Sequence, residues 1–166
     1  MDSEYEGKIT LISSDSQRFE LSQKAAMRSD IIKDSIEGSK DDHIEFNVNN
    51  VKGDVLKKVV EYLEHYENEE PKIIERPLPS ANLKECLDEW DYNFINVRLD
   101  NIFSIILASN YLNIKPLLEL VSAAIAGYIK GKPADELRNE FNITNDFTPE
   151  EEQQIIEENK WCMENL

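Results

Sequence analysis

ITLISSDSQRFEL, residues 9–21, alternates apolar and polar side chains on either side of a turn-rich centre. From Lys8 to Ser13 the alternation puts Ile9 and Leu11 on one face. Ser14-Asp15-Ser16 then supplies turn chemistry, and Arg18-Phe19-Glu20-Leu21 resumes the pattern, as a β-hairpin requires. Ser22 is placed to cap a following helix. In that helix Met27, Ile31 and Ile32 recur at helical spacing, Ile36 extends the stripe, and Gly38 is a natural stop. His43 to Val48 alternates again, with Ile44, Phe46 and Val48 on one face, so a third short strand is expected.

Beyond Asn49-Asn50, Val55, Leu56, Val59, Val60 and Leu63 share one face of a second helix, with Lys57, Lys58 and Glu61 on the other. Glu67 to Glu89 differs. Its charge is dense and Pro71, Pro77 and Pro79 interrupt it, so it reads as a long, mobile loop. Order resumes near Trp90 and Phe94. From Leu99 the chain reads as helical to its end. Ile102, Phe103, Ile106 and Leu107 form a stripe that Asn110-Tyr111-Leu112-Asn113 breaks. Pro116 sits where a first helical turn tolerates it, and the next helix carries Leu117, Leu118, Val121, Ile125, Tyr128 and Ile129 before Gly131 stops it. Pro133 starts a short helix holding Leu137 and Phe141. In the last helix Thr148 is the N-cap, Pro149 the first residue and Glu151 the third, which completes a capping box.

The chain has 166 residues, enough for one domain with a core plus a helical extension. Its net charge of −16 repels phosphate backbones and anionic membrane surfaces and favours basic partner surfaces. The start, Met1 to Glu6, is acidic and polar where a secretory signal needs a basic and then an apolar stretch, so a cytoplasmic and nuclear location is expected. Asn142-Ile143-Thr144 matches the N-glycosylation pattern, but in that location it would go unused.

No catalytic motif is present. There is no phosphate-binding glycine loop, G-x-S-x-G or H-E-x-x-H, and carboxylates fall in runs such as Glu150-Glu151-Glu152 that solvent keeps ionised. Cys86, Cys162, His43 and His65 lack the spacing of a zinc site. No catalysis, metal or cofactor is therefore expected. For Ile102, Phe103, Leu118, Ile125 and Ile129, plain core is the better reading of any one taken alone. The stretch from Pro133 to Leu166 is harder to reduce to core: it carries ten acidic and two basic residues, yet holds Leu137, Phe141, Phe147, Ile155, Ile156 and Trp161. A small helical hairpin cannot bury all of these by itself. Either they dock on the preceding helices or a partner covers them. Trp161 either clamps the tail to the domain or meets a partner.

IILASNYLNIKPLLEL (residues 105–120), IKGKPADELRNEFNITNDFTPEEEQQI (129–155) and ENKWC (158–162) resemble the S-phase kinase-associated (Skp) adaptor family of SCF ubiquitin ligases. ITLISSDSQRFEL and LKKVVEYLEHY (56–66) also match, in the same order. The resemblance implies an α/β (α+β) BTB/POZ fold, a small three-stranded sheet with flanking helices followed by C-terminal helices. It implies a BTB/POZ core over residues 6–130, with the insertion at 67–89, and F-box-binding helices over 131–166. The implied function is to bridge a cullin scaffold to the F-box of substrate receptors, without chemistry of its own.

Residue by residue, the resemblance assigns Asn110 and Tyr111 to cullin contact. It assigns Ile102, Phe103, Leu118, Ile125 and Ile129 to an apolar F-box groove, and Leu137, Phe141 and Trp161 to helices that clamp the F-box from its other side. Pro149 matches a proline that some protist members hydroxylate and then glycosylate. The partners implied are F-box proteins and the cullin N-terminal domain, with weak homodimerisation expected when no F-box fills the groove. The chain departs from the family at Ala25-Ala26-Met27-Arg28-Ser29-Asp30, where a more apolar, Val-rich pattern is usual in a helix that contributes to the cullin face. Ser122 also replaces a typical Cys. An alternative is a POZ-fold interaction protein serving a cullin-independent assembly.

Overall fold

In the structure, a computed structural model that describes residues 7–37 and 43–160, the hairpin forms where alternation predicts it. Strand β1 (Lys8–Ser13) pairs antiparallel with β2 (Arg18–Ser22), Ile9 facing Leu21 and Leu11 facing Phe19. Ser16, at φ 65°, turns the chain, and Asp15 ties that turn to the backbone at Gly53. Its carboxylate accepts from Ser13 Oγ at 2.6 Å and from the Gly53 N–H at 2.8 Å. Strand β3 (His43–Val48) adds parallel to the other edge of β1, giving the order β2-β1-β3. The central strand therefore carries Ile9 and Leu11, both fully buried.

The single helix expected after Ser22 is two. Ser22 caps α1 (Gln23–Ala26), the chain turns through Met27 and Arg28, and Ser29 caps α2 (Asp30–Ile36) by accepting from the Ile32 N–H. The spacing of Met27, Ile31, Ile32 and Ile36 hid that break, because a second cap restarts the helix in almost the same phase. Helix α3 (Gly53–His65) follows its stripe, burying Leu56, Val59, Val60 and Leu63, with Tyr62 as well.

The segment after α3 is held at its start. Arg28 donates to the Glu69 carbonyl at 2.8 Å and pairs with Glu70, and Ser22 Oγ donates to Glu67 at 2.6 Å. Within residues 67–89, read from sequence as loop alone, a short helix α4 (Leu83–Cys86) forms, capped by Asn82. Helix α5 (Glu89–Ile95) starts at Asp88, whose side chain accepts from the Asp91 N–H at 2.8 Å.

Helices α6 (Leu99–Tyr111) and α7 (Lys115–Ile129) pack on each other, and α3 packs on α6 and on β2. Asn113 ends α6 in the left-handed region at φ 50°, and Pro116 lies in the first turn of α7 as expected. Ile105, Leu112, Ile114, Leu117 and Leu120 are almost wholly buried, each worth about 1.5–3 kcal/mol of burial. The face of α6 differs from the expected stripe. Ile102, Ile105, Ala108 and Ser109 face the core, whereas Phe103 and Leu107 are exposed. The described residues up to Lys130 form one compact unit. Gly131, at φ 82°, ends α7, and a second unit runs from there, with α8 (Ala134–Glu140) and α9 (Pro149–Glu158).

Candidate partner-binding surfaces

Two surfaces in the first unit answer to the residues singled out from sequence. The first is the outer face of α6. Phe103, Leu107, Asn110 and Tyr111 follow one another at intervals that keep them on one side of a helix. Leu107 is 70% exposed and Tyr111 38%, so this face shows water an apolar strip ending in a polar pair. Its lower end is fixed from the first helices. Ser29 Oγ donates to the Leu112 carbonyl at 2.5 Å, and Asp30 accepts from Asn113 Nδ2 at 2.8 Å and pairs with Lys115 at 3.3 Å. The divergent segment noted in the sequence therefore sets the turn that presents Asn110 and Tyr111.

The second surface is a groove of about 830 Å³ along α7. Leu118, Ser122, Ala126 and Ile129 line its floor, at spacings that repeat along one helical face. Ile74, Pro77 and Leu78 line its opposite side. Three charged lining residues are cationic (Arg76, Lys115, Lys130) and two are anionic (Glu75, Glu119), so the groove is close to neutral in a chain of net charge −16.

The five first-unit residues assigned to an F-box surface do not line one cavity. Leu118 and Ile129 share the α7 groove, and Ile102 lines a smaller cavity of about 330 Å³ beside Leu83, Gly127 and Tyr128. Ile125 is half-buried against the core, and Phe103 lines neither cavity. Leu137 and Phe141 are half-buried in the second unit. Trp161 lies outside the described residues, as does Cys162.

In that second unit, α9 carries the capping box its sequence announced. The Thr148 N–H donates to Glu151 at 2.8 Å, and Thr148 Oγ1 accepts from the Glu151 N–H. Pro149 is exposed at the first helical position. Arg138 joins the two helices by pairing with Asp135 at 2.9 Å and Glu152 at 3.4 Å. Neither helix has a buried residue, and Ile143, Phe147, Ile155 and Ile156 are exposed. This is the arrangement a hairpin with too little core must adopt.

Sequence reasoning missed Leu107 as a surface residue and Ile74, Arg76 and Leu78 as groove residues. A signal existed for Leu107. Five apolar residues between 102 and 107 exceed what one helical face can bury. None existed for the other three, whose neighbours are distant in sequence.

Among the described residues, the interior holds an ionisable pair set among aromatic rings. Tyr66 Oη donates to Asp91 at 2.7 Å, and both residues are buried. Burial pushes the Asp91 carboxyl above its ordinary range against the opposing pull of that hydrogen bond, and burial beside Asp91 pushes Tyr66 up as well. Around them Trp90 stacks on His65 at 3.6 Å and on Phe94 at 5.1 Å. Among the described residues no group of three or more His, Cys, Asp or Glu is arranged to hold a metal, and no helix is long and apolar enough to cross a membrane.

A three-stranded sheet of order β2-β1-β3 with flanking helices is the architecture of a POZ-type domain. Two sequence profiles match the chain. One, described as the tetramerisation domain of the Skp1 family, covers residues 7–68, and the other, described as its dimerisation domain, covers residues 115–162. The S-phase kinase-associated protein 1 homolog of Tetrahymena thermophila is 47% identical, over 95% of this chain and 95% of the relative. The E3 ubiquitin ligase complex SCF subunit sconC of Arthroderma benhamiae is 43% identical, over 95% and 96%. Suppressor of kinetochore protein 1 of Schizosaccharomyces pombe is 44% identical, over 93% and 97%. The chain belongs to the Skp1 family.

Proposed function

We propose that this chain is the adaptor subunit of an SCF-type E3 ubiquitin ligase, bridging a cullin to F-box substrate receptors without catalysis of its own. Membership of a family with a relative named as an SCF subunit supports the reading. The observation that carries it is the presence of two partner-type faces with no lining residue in common: the Leu107–Asn110–Tyr111 face of α6 and the α7 groove at Leu118 and Ile129. A bridge needs two such faces, because a shared one would make its partners compete. Leu107, Asn110 and Tyr111 are assigned to the cullin. The groove and the apolar residues of 131–166, Leu137, Phe141 and Trp161 among them, are assigned to the F-box.

The mechanism is positional. Holding receptor and scaffold in one particle converts the meeting of substrate and ubiquitin-charged enzyme from an encounter in solution into one at a high effective concentration. The proposal extends to work in the cytoplasm and nucleus. Binding to a purified cullin N-terminal domain and to a recombinant F-box domain tests it. Asn110→Ala/Tyr111→Ala is expected to lose the cullin domain and keep the F-box domain. Loss of both, or of neither, would count against the assignment.

A further inference from the structure

The segment between α3 and α5 is laid along α7 and anchored to it at three places. Arg76 pairs with Glu119 at 2.7 Å, near the start of α7. Lys130, just past its end, donates to the Leu78 carbonyl at 2.7 Å. Leu83 lies over Gly127, where a Cβ would come within 2.8 Å of the leucine side chain, so the seat exists because residue 127 has none. One ion pair on the surface would hold little by itself. A salt bridge, a charge-assisted hydrogen bond and an apolar seat spread along one helix hold a segment in register.

The anchored segment leaves the groove open. With Ile74 and Leu78 in place the space between them and α7 is still about 830 Å³, within the range of roughly 300–1,000 Å³ typical of formed binding pockets. The segment therefore walls the groove and does not fill it.

We propose that residues 74–83 form a fixed second wall of the α7 groove, and that an amphipathic F-box helix inserts its apolar side chains between Ile74 and Leu78 on one side and Leu118 and Ile129 on the other. This rests on the F-box reading of the groove. Two observations favour that occupant. The floor residues Leu118 and Ile129 belong to the surface already assigned to the F-box, so the wall continues that surface. The near-neutral rim, unlike the acidic remainder of the chain, admits an apolar helix without selecting for a basic one. The consequence is that receptor choice depends on the insertion as well as on the helices.

The test titrates a recombinant F-box domain into the full-length protein and its variants, with thermal unfolding to confirm that each variant is folded. Ile74→Ser/Leu78→Ser is expected to weaken binding by about tenfold, through faster dissociation. Arg76→Glu replaces attraction to Glu119 by repulsion and, being exposed, leaves the core intact; it is expected to weaken binding by about threefold. Leu118→Asp, in the floor, serves as the reference and should abolish binding. Unchanged affinity in both wall variants, with Leu118→Asp inactive, overturns the wall and leaves the groove assignment standing. Tighter binding in the wall variants overturns it too, since the segment would then be a cover. Unchanged binding in Leu118→Asp overturns the groove assignment and the wall together.

Discussion

Ser29 Oγ donates a 2.5 Å hydrogen bond to the carbonyl of Leu112, both residues lying fully buried at the junction of the first helices with the end of α6. The same oxygen accepts from the Ile32 N–H, so one hydroxyl caps α2 and satisfies a terminal carbonyl of another helix. Ser29→Ala removes both bonds and leaves a buried carbonyl unpaired, a loss of about 1–3 kcal/mol. Thermal unfolding should show a clear drop. Ser35→Ala, whose exposed hydroxyl bonds within its own helix, should unfold close to the wild type.

The acid limb of stability belongs in part to Asp15. Hydrogen bonds from Ser13, Gln17 and Gly53 hold its carboxyl down at about 2, below the unfolded value of about 3.9. Its contribution is therefore present above the unfolded value and lost as pH falls through the folded one. Asp15→Asn should flatten the decline of stability between about pH 4 and pH 2, measured as unfolding midpoint against pH.

Asp91 runs the other way. Its carboxyl is raised by burial, so the folded protein holds that proton more tightly than the unfolded chain does, and stability falls as pH rises through the window above the unfolded value. Asp91→Asn keeps an oxygen for Tyr66 and removes the titration. The variant should be at least as stable as the wild type at neutral pH, and the difference should close as the pH is lowered into the acid range. A variant much less stable at neutral pH would mean that the ionised carboxylate is a net stabiliser.

On the α6 face, Leu107 is 70% exposed, so Leu107→Asp should change stability by no more than about 0.5 kcal/mol. Its effect should appear in binding. A titration is expected to show affinity for the cullin N-terminal domain reduced by at least about tenfold, as for a central apolar anchor, and affinity for an F-box domain unchanged.

Thr148→Ala dismantles the capping box of α9 at a cost of about 1 kcal/mol to that helix. The second unit has no buried residue in α8 or α9 to compensate. Circular dichroism should show reduced helicity, and F-box affinity should fall while cullin affinity holds.

The hairpin, the third strand, α3 and the capping box were legible in the sequence because each is written locally, in alternation, in a helical stripe or in a Thr148–Glu151 pair. The break at Met27–Arg28 was not, since Ser29 restarts the helix almost in phase. The orientation of α6 is not legible, because the helix is apolar on two sides and periodicity cannot say which side the core will take. Ile102 went inward and Phe103 outward, although both were read as one stripe. The anchoring of 74–83 depends on Glu119, Gly127 and Lys130, which no local pattern connects to Arg76, Leu83 or Leu78.

The claim that this chain is a bridge is tested most directly by mixing it with a cullin N-terminal domain and an F-box domain and measuring the mass of the product by size-exclusion chromatography with light scattering. The account predicts a single species holding one copy of each protein, from which Leu107→Asp removes only the cullin domain and Leu118→Asp only the F-box domain. Displacement of one partner by the other, or a species that never contains both, would contradict it.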